Sequence, residues 1–160
     1  MANTVKAKSW LPGFSVAYTL NGGPPLIQWC TVGAVALKKG DSVVMAANVM
    51  TIGLSDSPLI YGICLADGDV GAVIPIAVAD VNTVFVGQAD AITSGVTTPD
   101  ICDIKGATGA QLVDIGETTE KVVNVLRVVP GDDTADATNI GRVYFQFIRS
   151  QFDNRVDAEA

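Results

Sequence analysis

The chain has 160 residues, 49% of them apolar but only 6% aromatic, and carries a formal net charge of −7 with no histidine. At that length one domain can bury roughly 68–70% of its unfolded surface, so no metal or disulfide staple is required. Its ten Lys and Arg are scattered, which excludes the basic footprint that nucleic acid or an anionic membrane demands; neither is expected as a partner.

Residues 1–12 read as an extended N-terminal arm. "MANTVKAKS" is polar and carries Lys6 and Lys8, and Trp10, Pro12 and Gly13 then lead into structure. The arm has no continuous apolar core of the kind a signal peptide needs. "FSVAYTL" and "LIQWCTV" read as strands on either side of the turn "NGGPP", where Gly permits positive φ and Pro fixes it. "LKKGD" is a turn leading to "SVVMAA", and "NVMTIGL" follows. "LIYGICLA" is a short apolar run bounded by turn signals, which predicts a buried strand. "DGDVG" carries an Asp-Gly hairpin signal, and "AVIPIAVA" resumes the sheet. Pro75 within it predicts an edge or a bulge. The surrounding run "GAVIPIAVA" is far short of the ~20 residues of a membrane helix.

"NTVFVGQA" is the next strand. From Ile92 the texture changes to short strands such as "ICDI" and "AQLVDI" among Gly- and Thr-rich turns. "KVVNVLRVV" and "GRVYFQFIRSQF" are strong strands flanking the acidic loop "PGDDTADATN". The count is about nine to eleven strands at the 8–12-residue spacing of a sandwich or barrel. A short helix over "SDSPLIYG" or "TPDICDI" is the alternative at those two places. The expected fold class is all-β: a single β-barrel or β-sandwich domain over residues 13–152, with the arm before it and a flexible C-terminal tail at 153–160.

Catalytic chemistry finds little to work with. Without histidine there is no Ser-His-Asp or Cys-His nucleophile system, and the commonest metal ligand is missing. Cys30, Cys64 and Cys102 are odd in number and widely spaced, which is no disulfide framework. Three buried core thiols are expected instead, which fits assembly in a cytosol. "DGDVG" from Asp67 fails as a calcium loop, because Ala72 and Val78 stand where Gly and Glu are needed. "DDTADATN" is read as solvated loop charge rather than a weak calcium site. "GATGAQ" lacks the Lys-Ser/Thr of a phosphate loop. Most of Trp10, Trp29, Phe145, Phe147 and Phe152 are expected in the core or at contacts, too few for a stacking platform. No cofactor and no metal are expected, and the chain is read as a non-enzyme whose surface is its function.

Several segments resemble the capsid decoration, or cement, proteins of tailed bacteriophages. These are Gly40, Asp41 and Val43 of "KKGDSVV", the run from Gly62 through Val78, "DIKGATGAQLVD" from Asp103 to Asp114, the terminal "GRVYFQFIRSQF" and the opening "KAKSWLPGFSV". The resemblance implies a β-rich structural protein on the exterior of a virion, bound to the major capsid protein and cementing its subunits, commonly as a homotrimer. No binding residue carries over individually. The residues expected to make partner contacts are Lys6, Lys8, Trp10, Leu11 and Phe14, with the arm adding to a neighbouring sheet edge. The alternatives are a non-catalytic β-barrel module for a small ligand or carbohydrate, as in a viral fibre, and an enzyme built on Asp and Glu alone. Clustered exposed aromatics at a loop end would mark the first. A deep pocket with two carboxylates, one of raised pKa, would mark the second.

Overall fold

The computed structural model describes residues 13–54, 59–91, 99–130 and 141–152. The expected arm and tail lie outside them, as do residues 131–139 of the acidic loop. Among the described residues every regular element is a strand, so the chain is all-β. In chain order the strands are β1 (Phe14–Thr19), β2 (Ile27–Val32), β3 (Ser42–Ala46), β4 (Val49–Ile52), β5 (Gly62–Cys64), β6 (Val73–Val78), β7 (Thr83–Gln88), β8 (Asp100–Lys105), β9 (Leu112–Asp114), β10 (Val123–Val128) and β11 (Arg142–Phe147). "TPDICDI", weighed as a helix, supplies β8.

Five strands close into a barrel in the order β2-β4-β3-β5-β6. The β2–β4 pair is parallel and the other pairs are antiparallel. Side chains alternate across a strand, so one set fills the lumen: Cys30, Val32, Val43, Cys64, Ile74 and Ile76, with Met50 and Leu37. The other six strands form an antiparallel sheet in the order β1-β7-β11-β10-β8-β9. That sheet curls until Ala89, just past β7, bridges Val113 of β9. The Asp90 N–H donates to the Val113 carbonyl at 2.9 Å there. Among the described residues, β1 is left with a strand partner on one side only.

One hydrophobic cluster joins the two units. Phe14, Phe85, Phe145 and Phe147 of the sheet meet Ile60, Ile63, Ala77 and Ala79 of the barrel side. Their rings pack mostly edge to face, with Phe14 and Phe145 centroids 5.2 Å apart.

One local expectation changes. Pro75 is not at an edge, since β6 pairs with both β2 and β5. Its carbonyl accepts from the Leu65 N–H at 3.0 Å, so its donor-less nitrogen faces Leu65, and the missing reciprocal bond falls just past the end of β5. The Asp67-Gly68 signal does fall in a hairpin connection, since β5 and β6 on either side of it pair antiparallel, and the loop is longer than two residues. Within that loop Gly68 exchanges two backbone bonds with Leu37, of 2.9 and 3.0 Å, which folds the β5–β6 loop over the end of the barrel.

Candidate contact surface

The turn "LKKGD" is the local device from which the rest is positioned. Gly40 sits at φ 93°, a conformation costly for any side chain, and a Cβ there would stand 3.0 Å from Phe14 N. The turn delivers Asp41 into the interior, where it is fully buried. Its carboxylate accepts the Lys38 N–H at 2.8 Å, the Gly109 N–H at 2.7 Å and the Thr108 hydroxyl. Next to it, Gln111, also fully buried, accepts from Ser42 N at 2.7 Å and from Ser42 Oγ at 2.9 Å. The Gln111 side-chain amide donates to the Gly53 carbonyl at 2.6 Å, and the Gln111 backbone carbonyl accepts from the Gly13 N–H at 3.2 Å. A polar seam thus ties the barrel to the β8–β9 hairpin. Each buried polar group in it has a partner, which is the condition for burial without penalty.

The barrel's outer wall has a different character. None of its five strands contains Asp, Glu, Lys or Arg, whereas β8, β9, β10 and β11 all do. On the outer face Trp29 lies directly opposite Pro75, Ile27 opposite Ala77 and Thr31 opposite Val73. Cross-strand and diagonal neighbours touch on a pleated face, so Ile27, Trp29, Pro75 and Val73 share one uncharged face with Thr31. Trp29 is 68% exposed and Val73 58%. The sequence carries a signal for this surface that strand periodicity passes over: no charged residue occurs between Lys8 and Lys38.

Of the residues expected to make partner contacts, Lys6, Lys8, Trp10 and Leu11 lie outside the described residues. Phe14 does not offer its ring to a partner. It is 3% exposed and belongs to the shared core, because β1 enters the sheet at Phe14 with that side chain on the inner face. Trp29 and Phe152, expected in the core or at contacts, are exposed, and Phe152 packs edge to face on Tyr61 at 5.0 Å. Phe145 and Phe147 are in the core.

An open cleft of about 400 Å³ lies beside β8 and β9, lined in part by Lys105, Asp114, Glu117 and Glu120. Its carboxylates are already engaged. Asp103 accepts the Glu120 and Lys121 N–H groups, Glu120 pairs with Arg149 at 2.8 Å, and Glu117 caps the turn at Thr118 and Thr119. Burial and the hydrogen bond that its protonated carboxyl donates to Asp90 hold Asp114 above the ordinary carboxylate range. Burial also pushes Asp90 up, but Lys105, the Ile115 N–H and Asp114 outweigh it and leave Asp90 below that range. The arrangement is a set of loop caps around one lysine.

All three cysteines are buried free thiols, as the sequence predicted. Burial pushes Cys64 up to about 12 and Cys102 up to about 11, which leaves both as unreactive thiols at neutral pH. No family model matches the chain and no curated protein matches it.

Proposed function

We propose that the chain is a virion structural protein that decorates the outside of a tailed-phage capsid and cements contacts between major capsid protein subunits, as a homotrimer. The observation that supports this reading best is the polar seam. Two of the segments that carry the resemblance, "KKGDSVV" and "KGATGAQ", are distant in sequence and meet at Asp41, Ser42 and Gln111. Their shared residues therefore serve to hold two β units together. A decoration protein needs that: a stiff body with little exposed reactivity that adds contact area across a capsid seam. Binding that prefers the assembled shell stabilises it by mass action. In this reading the arm, with Lys6, Lys8, Trp10 and Leu11, adds a strand to a neighbouring edge.

The test is to mix the purified chain with undecorated, expanded capsids of the virus that encodes it, then measure occupancy and the temperature at which the shells rupture. Saturable binding with a raised rupture temperature is expected, and both should fall when residues 2–12 are deleted. Capsids that take up none of the full-length chain would end the reading.

A further inference from the structure

We infer that Asn21 is a site of spontaneous covalent modification, where the Gly22 backbone nitrogen closes on the Asn21 side-chain amide to give a cyclic imide that water opens to isoaspartate and aspartate. The inference is independent of the capsid reading. Asn21 is the one asparagine of the chain followed by glycine; the others precede Thr, Val, Ile or Arg. In the first step the bond from Gly22 N to Asn21 Cγ forms and the Cγ–Nδ2 bond breaks. The Gly22 amide proton passes through solvent to the departing nitrogen, which leaves as ammonia. In the second step one water opens the imide. Opening at Cγ gives aspartate, and opening at the backbone carbonyl leaves the chain running through Cβ and Cγ as isoaspartate. Nothing is oxidised or reduced, and water is the only co-reactant.

The turn between β1 and β2 meets the requirements of this chemistry. Asn21, Gly22 and Gly23 are all exposed. A Cβ placed at Gly22 would meet no atom within 4 Å, so neither a side chain nor a neighbour crowds the attacking nitrogen. The Gly23 N–H donates to Asn21 Oδ1 at 3.0 Å. That bond folds the side chain back along the chain that follows it. It also sets a donor on the oxygen where negative charge builds as Cγ is attacked. The Gly22 N–H donates to the Thr19 carbonyl at 3.2 Å, the long limit of an ordinary bond and within reach of water, so its release is a small part of the barrier. Asp67-Gly68, which closes the same imide by losing water, is held in the opposite way. Gly68 is tied to Leu37 by both its N–H and its carbonyl, and Asp67 Oδ1 accepts the Lys39 N–H at 2.7 Å. A Cβ at Gly68 would stand 2.8 Å from Ile74 Cγ2. Either product at Asn21 places a carboxylate in the stretch that has no charged residue between Lys8 and Lys38.

Peptide mapping by mass spectrometry tests this on the native full-length chain, held for days in mildly alkaline buffer at body temperature. The peptide carrying Asn21 should gain one mass unit and split into two products, with isoaspartate the larger. Its rate should be at least tenfold above that at Asn48, Asn82 or Asn124, and Asp67 should stay unchanged over the same time. Gly22→Ala should slow the reaction at least tenfold. Asn21→Gln, which keeps both glycines but needs a larger ring, should do the same and covers the case in which Gly22→Ala disturbs the turn. An Asn21 that persists in the native chain while the urea-unfolded chain reacts there would overturn the inference, because the turn would then protect it. Isomerisation of Asp67 at a matching rate would overturn it too. So would conversion to aspartate without isoaspartate, which means direct hydrolysis with no imide.

Discussion

At the scale of single residues, Asp41 shows how a side chain that looks like surface charge in the sequence becomes a structural fixture. Two backbone N–H groups and a hydroxyl point at its two oxygens. Asp41→Ala strands those donors in the interior and should cost roughly 2–3 kcal/mol in urea unfolding. Asp41→Asn should cost nearly as much, because its amide NH₂ would face an N–H donor. Gln111→Ala should fall in the same range, and the double variant should lose measurably less than the sum, since both residues serve one seam. Asp90 and Asp114 carry a second prediction, of opposite sign. Asp90 titrates low in the folded chain, so its contribution is present above the ordinary carboxylate pKa and is lost as pH falls through the lowered value. Asp114 titrates high, so its contribution is present below the ordinary pKa and is lost as pH rises through the raised one. At pH 7 Asp90→Asn should therefore destabilise by about 1 kcal/mol, discounted in high salt because Lys105 is half exposed. Asp114→Asn should be neutral or stabilising there, since it removes a like charge. In strong acid the penalty of Asp90→Asn should vanish.

At the scale of elements, the β3–β4 hairpin turns on Ala47 and Asn48, with φ of 49° and 64°. Two positive values in a two-residue loop are the type I′ geometry that matches strand twist, and alanine is a poor occupant of it. Ala47→Gly should raise stability by about 1 kcal/mol, read as a higher urea midpoint with an unchanged slope. Elements such as this were legible in the sequence, because branched apolar runs between Gly, Pro and Asn turns specify strands locally. β1, β2, β3, β6, β7 and β10 fall inside the runs read for them. The pairings were not legible. Nothing local tells β2 to lie parallel to β4, or β7 to bridge toward β9 through Ala89. β5 keeps only Gly62–Cys64 of an eight-residue apolar run, because Ile60 leaves the ladder to bridge Ser150 instead. The seam was hidden for the same reason: Asp41 and Gly109 are 68 positions apart, and only the fold brings them together. The uncharged outer face was hidden in another way, since Trp29 reads as core or contact in a sequence and its register turns it outward.

At the scale of the whole molecule, the question is whether the barrel and the curled sheet are separable. The barrel has its own lumen core, but its Ile63 and Ala77 are part of the cluster that also holds Phe85, Phe145 and Val123 of the sheet. Removing the sheet would expose that cluster on the barrel side and strand Asp41 and Ser42 at the seam. Either loss is large against the marginal stability of a domain of this size, so the two units should unfold together. The buried thiols report on each unit separately. Cys64 lies in the barrel lumen and Cys102 under the sheet, and neither thiol ionises readily while buried. Native protein should therefore react with a thiol reagent at neither position. Pulse labelling along a urea gradient, with the two sites resolved by peptide mass, should give one shared midpoint that matches the loss of far-UV circular dichroism. Labelling of Cys102 at clearly lower urea than Cys64 would mean that the sheet opens while the barrel persists, and that the seam and the shared aromatic cluster do not couple them.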